Sequence, residues 1–189
     1  PPILSGYNQA HPAVRLELVT GTTGALIARL LTHDIEAAFV SEPFTAPGLA
    51  SQAVFEEELV LINRRGLPPI AAAGDLGRTT LIAFANGCSY RKRLEDWLGA
   101  ANVLPERVLE FASYPAIVAC VAAGTGVAVV PRSMLAELHS AAAVQANELP
   151  PHLRCNRTHL VWHPQQESLA LQGLRALLPG IALAAHRLQ

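Results

Sequence analysis

Two short segments place polar or nucleophilic side chains at turns that open a helix. Asn86-Gly87-Cys88-Ser89-Tyr90-Arg91 follows the apolar run Thr80 to Phe84, and Tyr90, Leu94, Trp97 and Leu98 then recur on one helical face. Strand, turn, helix is the setting of the Gly-x-Ser-x-Gly nucleophile elbow, in which the serine is lifted to the end of a sheet. Here Arg91 stands where the second glycine belongs, and spacing nominates no Asp or His partner for Ser89 or Cys88. Binding suits the segment better. The first-turn N–H groups of a helix lack intrahelical acceptors, so together with Asn86 and Ser89 they can seat a carboxylate or another small anion. A plain helix cap accounts for the same residues. Gly21-Thr22-Thr23-Gly24 offers the same device with two hydroxyls and the same pair of readings.

Other groupings carry less chemistry. Gly124-Thr125-Gly126 lies in the order helix, turn, strand, the reverse of a dinucleotide-binding fingerprint, and reads as a tight helix C-terminus. His159 and His163 flank an apolar run that reads as strand, where positions four apart lie about 13 Å from each other, too far for one metal ion. Cys88, Cys120 and Cys155 are odd in number, widely spaced and in no Cys-x-x-Cys pair, which argues against a disulfide framework or zinc cluster and suits a reducing cytoplasm. Glu56-Glu57-Glu58 and Arg64-Arg65 read as solvated strand ends. No catalytic residue, cofactor or metal site is expected.

The elements that must position these groups alternate. A helix over Pro2 to Ala10 stops at His11-Pro12. Val14 to Val19 alternates apolar and polar as a strand, and a helix carrying Leu26, Ile27, Leu30 and Leu31 follows. Ala37 to Val40 and Glu58 to Ile62 read as strands. The Pro-, Ala- and Gly-rich stretch Gly66 to Gly77 reads as a boundary between lobes. Beyond it the pattern restarts: strand Thr80 to Phe84, helix from Ser89, strand Val108 to Phe111, helix Pro115 to Ala123, strand Val127 to Val130, and helix Ser133 to Leu138. Strand His159 to Trp162 and helix Ser168 to Leu178 close the chain. Strands alternating with helices predict parallel-sheet α/β units, here in two lobes.

Composition narrows the function. The 189 residues are 51% hydrophobic and 15% charged, with a formal net charge of −1. That composition supports a buried core, excludes a disordered chain, and lacks the basic balance with which proteins grip nucleic acid. No apolar run reaches the roughly 20 residues of a membrane span. No signal peptide is visible, and the absence of a starting Met reads as a piece of something longer.

In this order along nearly the whole chain, the segments resemble the effector-binding domain of LysR-type transcriptional regulators. Tyr7 to Leu18 is similar to the family's helix followed by "hydrophobic-x-x-Pro-x-Val-x-Leu". Gly21-Thr22-Thr23 sits where the family has a ligand-contacting turn. Leu30 to Phe39 looks like "Leu-x-x-Gly-x-Leu-Asp-x-x-Ile", with His33 for the glycine and Glu36 for the aspartate. Phe84 to Arg91 with Leu94-Glu95 looks like a second-lobe entrance, and Ala123 to Pro131 resembles the family's most recurrent stretch.

The resemblance implies an α/β, two-lobed type 2 periplasmic-binding-protein-like fold, each lobe a Rossmann-like sheet flanked by helices, joined by crossing hinge strands. Lobe I would comprise residues 1–77 and 150–189, without its first strand, and lobe II residues 78–149. It implies a cytoplasmic regulator whose small-molecule effector, anionic or carboxylate, binds between the lobes and alters DNA binding by the full-length protein. DNA would be contacted only through a winged helix-turn-helix absent from this chain, and the protein would form a homodimer or homotetramer away from any membrane. Carried over residue by residue, the ligand-binding positions are Thr22, Thr23, Ser41, Glu42, Asn86, Cys88, Ser89, Tyr90, Ser113, Tyr114 and Thr125. Glu42 would instead select a ligand that also carries an amine, and the sequence leaves the plain anion and the amine-bearing ligand both open. The helices Leu26 to Leu31, from Ser89 and from Ser133 are candidate interface elements. A solute-binding protein of the same fold, or an enzyme using Ser89 or Cys88, are the alternatives.

Overall fold

The structure is a computed structural model and describes residues 2–186. The chain folds into two compact units, Pro1–Glu56 with Arg157–Gln189 (unit 1) and Glu57–Asn156 (unit 2).

In unit 1, helix α1 (Pro2–Ala10) buries Tyr7, whose hydroxyl donates to the Ala170 carbonyl at 2.8 Å. Helix α2 (Thr23–Leu31) starts at Thr22, whose hydroxyl accepts the Ala25 N–H. Strand β1 (Ala37–Ser41) pairs antiparallel with β7 (Cys155–Trp162), Ala37 opposite Trp162 and Ser41 opposite Thr158, and β7 in turn neighbours β2 (Ala50–Arg64). The period-2 alternation of strands sends Ala38, Val40 and Val161 to a cluster with Ile27 and Leu30 of α2. Leu160 and Trp162 meet Leu171 and Leu178 of α7 (Leu169–His186) on the other face. α1 lies against α7 at Gly173, where a Cβ would stand 2.7 Å from His11 Nε2.

Val14 to Val19 is not the expected strand. It has no ladder partner among the described residues, and Leu16, Leu18 and Val19 are exposed. Alternation favours a strand only where a neighbouring strand supplies the hydrogen bonds.

Unit 2 contains the expected parallel pair. β3 (Thr80–Ala83) runs beside β4 (Arg107–Glu110), with Leu81 also bridged in parallel to Val127. Helices α3 (Ser89–Ala100) and α4 (Tyr114–Ala122) follow β3 and β4. β5 (Ala128–Pro131), α5 (Arg132–Ala136), β6 (Val144–Glu148) and α6 (Pro151–Arg154) complete the unit, and β2 pairs antiparallel with both β5 and β6. Antiparallel pairing thus exceeds the sequence expectation, because β2 is one 15-residue strand and not the short run Glu58 to Ile62. Its alternation splits the core: Leu59 and Leu61 face Leu81, Leu94 and Leu98, while Val60 and Ile62 face Ile117, Val118 and Val121.

The division also falls elsewhere than the stretch Gly66 to Gly77. Residues 57–77 and 150–156, expected in lobe I, belong to unit 2. Ile70, Ala73 and Leu76 are buried in its core. Asn147, 6% exposed, holds the stretch down: its Oδ1 accepts the Ile70 N–H at 2.9 Å, and its Nδ2 donates to the Leu61 carbonyl and to Asn63 Oδ1. Asn63 Nδ2 donates in turn to the Pro68 carbonyl at 3.1 Å. A Pro- and Gly-rich composition permits a linker, but buried amides that need partners draw the stretch onto the sheet.

Candidate functional site

The candidate residues of unit 1 gather where β1 ends and α2 begins. Thr23 Oγ1 lies 3.3 Å from the Ser41 N–H, which it accepts, and 3.4 Å from the Ser41 carbonyl, to which it donates. Ser41 Oγ meets Thr158 Oγ1 at 3.2 Å. Glu42 Oε1 is 2.7 Å from His159 Nε2, and Phe44 sets its ring edge-on to that imidazole. Thr22, Thr23, Ser41 and Glu42 are thus neighbours at this strand end, with Thr158 meeting Ser41 and His159 meeting Glu42. Sequence reasoning missed Thr158 and His159 as neighbours, because the β1–β7 register that places them is not a local property.

Unit 2 gathers its candidates at the starts of α3 and α4, beyond the carboxyl ends of the parallel strands, where open α/β sheets bind ligands. The two helix starts differ. Ser113 caps α4 by accepting the Ala116 N–H at 3.5 Å, whereas Cys88 provides α3 with no side-chain cap. Asn86 is exposed and turns its Oδ1 back to the Gly87 N–H. Cys88 is half-buried and Ser89 buried. The Arg91 guanidinium is engaged by Glu95 and Glu110, which hold it above its ordinary pKa.

Tyr90 ties the two helix starts to β2. Its hydroxyl donates to Glu57 Oε1, which also accepts Asn156 Nδ2 at 2.8 Å. Tyr114 lies beside it, its ring edge-on to Phe84 at 4.9 Å, and burial followed by the nearby Glu57 charge pushes its hydroxyl well above the usual tyrosine pKa. Glu58 is no bare strand end either. Arg132 Nε donates to it at 2.9 Å, and Arg132 and Arg154 both bridge from Glu58 to Glu148. The reading of Glu57 and Glu58 as strand ends is thus corrected: both lie half-exposed within the 15-residue β2, with donors from three helices around them.

Thr125 does not join this group. Its neighbour Gly126 packs against the Thr80 carbonyl at the amino end of β3, the end opposite α3. The turn does serve as the expected helix terminus: Gly124 has φ +85°, and the Gly124 and Thr125 N–H groups donate to Val121 and Cys120 carbonyls. Among the described residues no group of three or more His, Cys, Asp or Glu could hold a metal ion. His159 and His163 each have other partners, Glu42 and the Leu30 carbonyl. Cys88 and Cys120 are half-buried free thiols.

These two α/β units carry polar clusters at strand and helix ends, the places where α/β domains bind small ligands. Residues 1–180 match the LysR substrate binding domain family, and the chain belongs to it. It is 38% identical over 136 residues to the HTH-type transcriptional regulator GltR of Bacillus subtilis (strain 168), a match covering 72% of this chain and 46% of that protein. The chain thus spans about half the length of the curated relatives it matches. In fold it is similar to the CcmR regulatory domain of Synechocystis PCC6803 in complex with 2-PG (TM-score 0.83, 21% identity, 96% of this chain and 90% of that one). It is also similar to the BenM effector binding domain with benzoate (TM-score 0.77, 20% identity, 98% and 86%). The fold is therefore that of LysR effector-binding domains, the periplasmic-binding-protein-like α/β fold expected from the sequence.

Proposed function

We propose that this chain senses a small organic carboxylate for a LysR-type transcriptional regulator and that the first turn of α3 holds the carboxylate. The observation that carries the reading is the missing cap. Thr22 and Ser113 satisfy N–H groups at α2 and α4, while α3, 12 residues long, begins without a side-chain acceptor. An anion is the natural partner for such N–H groups, reinforced by the helix dipole. Two structural relatives support this reading: one holds 2-PG and the other benzoate, a carboxylate. Thr22, Thr23, Ser41 and Glu42 are read as a second set of effector contacts, to be tested separately.

The wider role follows from the family. Effector binding shifts the protein between two states by binding one of them better, and the full-length homodimer or homotetramer changes its grip on DNA through a separate DNA-binding domain. We place the protein in the cytoplasm; no helix among the described residues is long and apolar enough to cross a membrane. Catalysis is disfavoured, since Ser89 is 5% exposed and, among the described residues, neither Ser89 nor Cys88 has a histidine partner.

A thermal-shift screen with small carboxylates, aromatic acids and amino acids tests the reading. A ligand at about 100 times its dissociation constant should stabilise the domain by about 2.7 kcal/mol. Ser89→Pro, at a helix position that tolerates proline, removes one first-turn N–H and should weaken a hit about tenfold. A screen without a hit, or a hit indifferent to Ser89→Pro, sinks the α3 seat. Thr23→Ala reports on the unit 1 cluster in the same assay.

A further inference from the structure

Glu57 is a charge without a counter-charge. Its Oε1 takes the hydroxyl of Tyr90 and the amide of Asn156, both neutral donors, and among the described residues it has no ion-pair partner. Its other oxygen has no hydrogen-bond donor among them and is not enclosed. The next residue, Glu58, is by contrast neutralised by Arg132 and Arg154. Asn156 is 0% exposed and its Oδ1 has no partner. The amide cannot turn over to relieve this, because Oδ1 would then face a carboxylate. A carboxylate with one open oxygen and a buried neutral acceptor thus sit together with no cation, so a charged donor can be added there without displacing an existing partner. Tyr114 adds a hydroxyl beside them, and no positive charge.

We infer that Glu57 receives the cationic N–H group of the ligand, so that the effector is an aminocarboxylate, such as an α-amino acid, and not a plain carboxylate. The inference rests on the carboxylate seat proposed at α3: Tyr90, the second residue of that helix, holds Glu57 beside it. An ammonium group meets an acceptor whose orientation two existing hydrogen bonds have already set, so little ordering is left to binding. The bond formed is charge-assisted, the stronger class. The sequence left open an amine partner at Glu42, a carboxylate that already faces His159.

Matched pairs of acids decide it: alanine against propionate, phenylalanine against hydrocinnamate, glutamate against glutarate. Each is titrated calorimetrically into this chain and into Glu57→Gln, which keeps the shape and removes the charge. In at least one pair the amine-bearing member should bind about 10-fold or more tightly, and Glu57→Gln should erase most of that gap. The wild-type comparison stands even if the variant folds poorly. Plain acids binding as well as their amino counterparts would overturn the inference and leave the carboxylate seat intact. A preference that survives Glu57→Gln would overturn the assignment to this residue. Failure of both members of every pair would overturn the seat together with the inference.

Discussion

At the scale of single residues, the environment decides what a carboxylate does, and neighbours in sequence need not share it. Glu56, Glu57 and Glu58 are identical in type, yet Glu57 is bound by neutral donors and Glu58 by arginines. No feature of the sequence separates them, because the donors come from residues 33 to 99 positions away. Asp75 illustrates the local case. It accepts the Ala72 and Ala71 N–H groups at 2.8 and 2.9 Å, and these bonds hold its carboxyl below the usual aspartate range. A depressed carboxylate stabilises the fold above its unfolded value and loses that contribution as pH falls through its folded value. Asp75→Ala should therefore lower the melting temperature at pH 7, with the difference from wild type shrinking as the solution is acidified through the carboxylate range. Melts across an acid pH series check this.

At the scale of elements, helix starts were the most legible feature and strand partners the least. Thr22 and Ser113 cap the helices that their types and positions announce, since a cap is a bond between residues three apart. Strand existence depends on distant pairing. Val14 to Val19 alternates yet is no strand, while Val144–Glu148, with Gln, Asn and Glu in five residues, is one because Val60 to Arg64 lies beside it. Of the site, the helix starts could be read, but Asn156, Glu57 and Thr158 could not, and Thr125, a ligand-binding position by resemblance, lies at the amino ends of the strands, away from the starts of α3 and α4. Gly126 marks where close approach fixes the pairing: a Cβ there would stand 2.1 Å from the Thr80 carbonyl oxygen, and the Val127 N–H donates to that same oxygen. Gly126→Ala should cost about 1–3 kcal/mol or more, read as a lower urea midpoint, because the obstructing atom is backbone and cannot swing aside.

At the scale of the whole molecule, charge bounds what the chain can hold by itself. A net charge of −1 gives the chain no overall attraction to a duplex, so the chain alone should show no specific or salt-dependent binding to DNA at physiological salt. Fluorescence anisotropy with labelled duplex tests this, and a salt-dependent isotherm would contradict it. The two-unit α/β class was legible because alternation of strand and helix is a local pattern repeated along the chain. The border between units was not: composition pointed to Gly66 to Gly77, while contacts put it at Glu56 and Asn156.

That stretch behaves as core under a loop's composition, and one atom pair makes the behaviour measurable. The Ile70 amide gives its hydrogen to a side chain, Asn147 Oδ1, with both residues buried. Backbone hydrogens in irregular segments normally exchange with deuterium quickly, since brief local openings suffice. This one can exchange only when Asn147 lets go, and Asn147 also grips Leu61 and Asn63 of β2. Its exchange should therefore keep pace with the slowest amides of β2, and Asn147→Ala should move it to the rate of its exposed neighbours. A single proton in a proline-rich segment thus becomes a clock for the opening of the sheet.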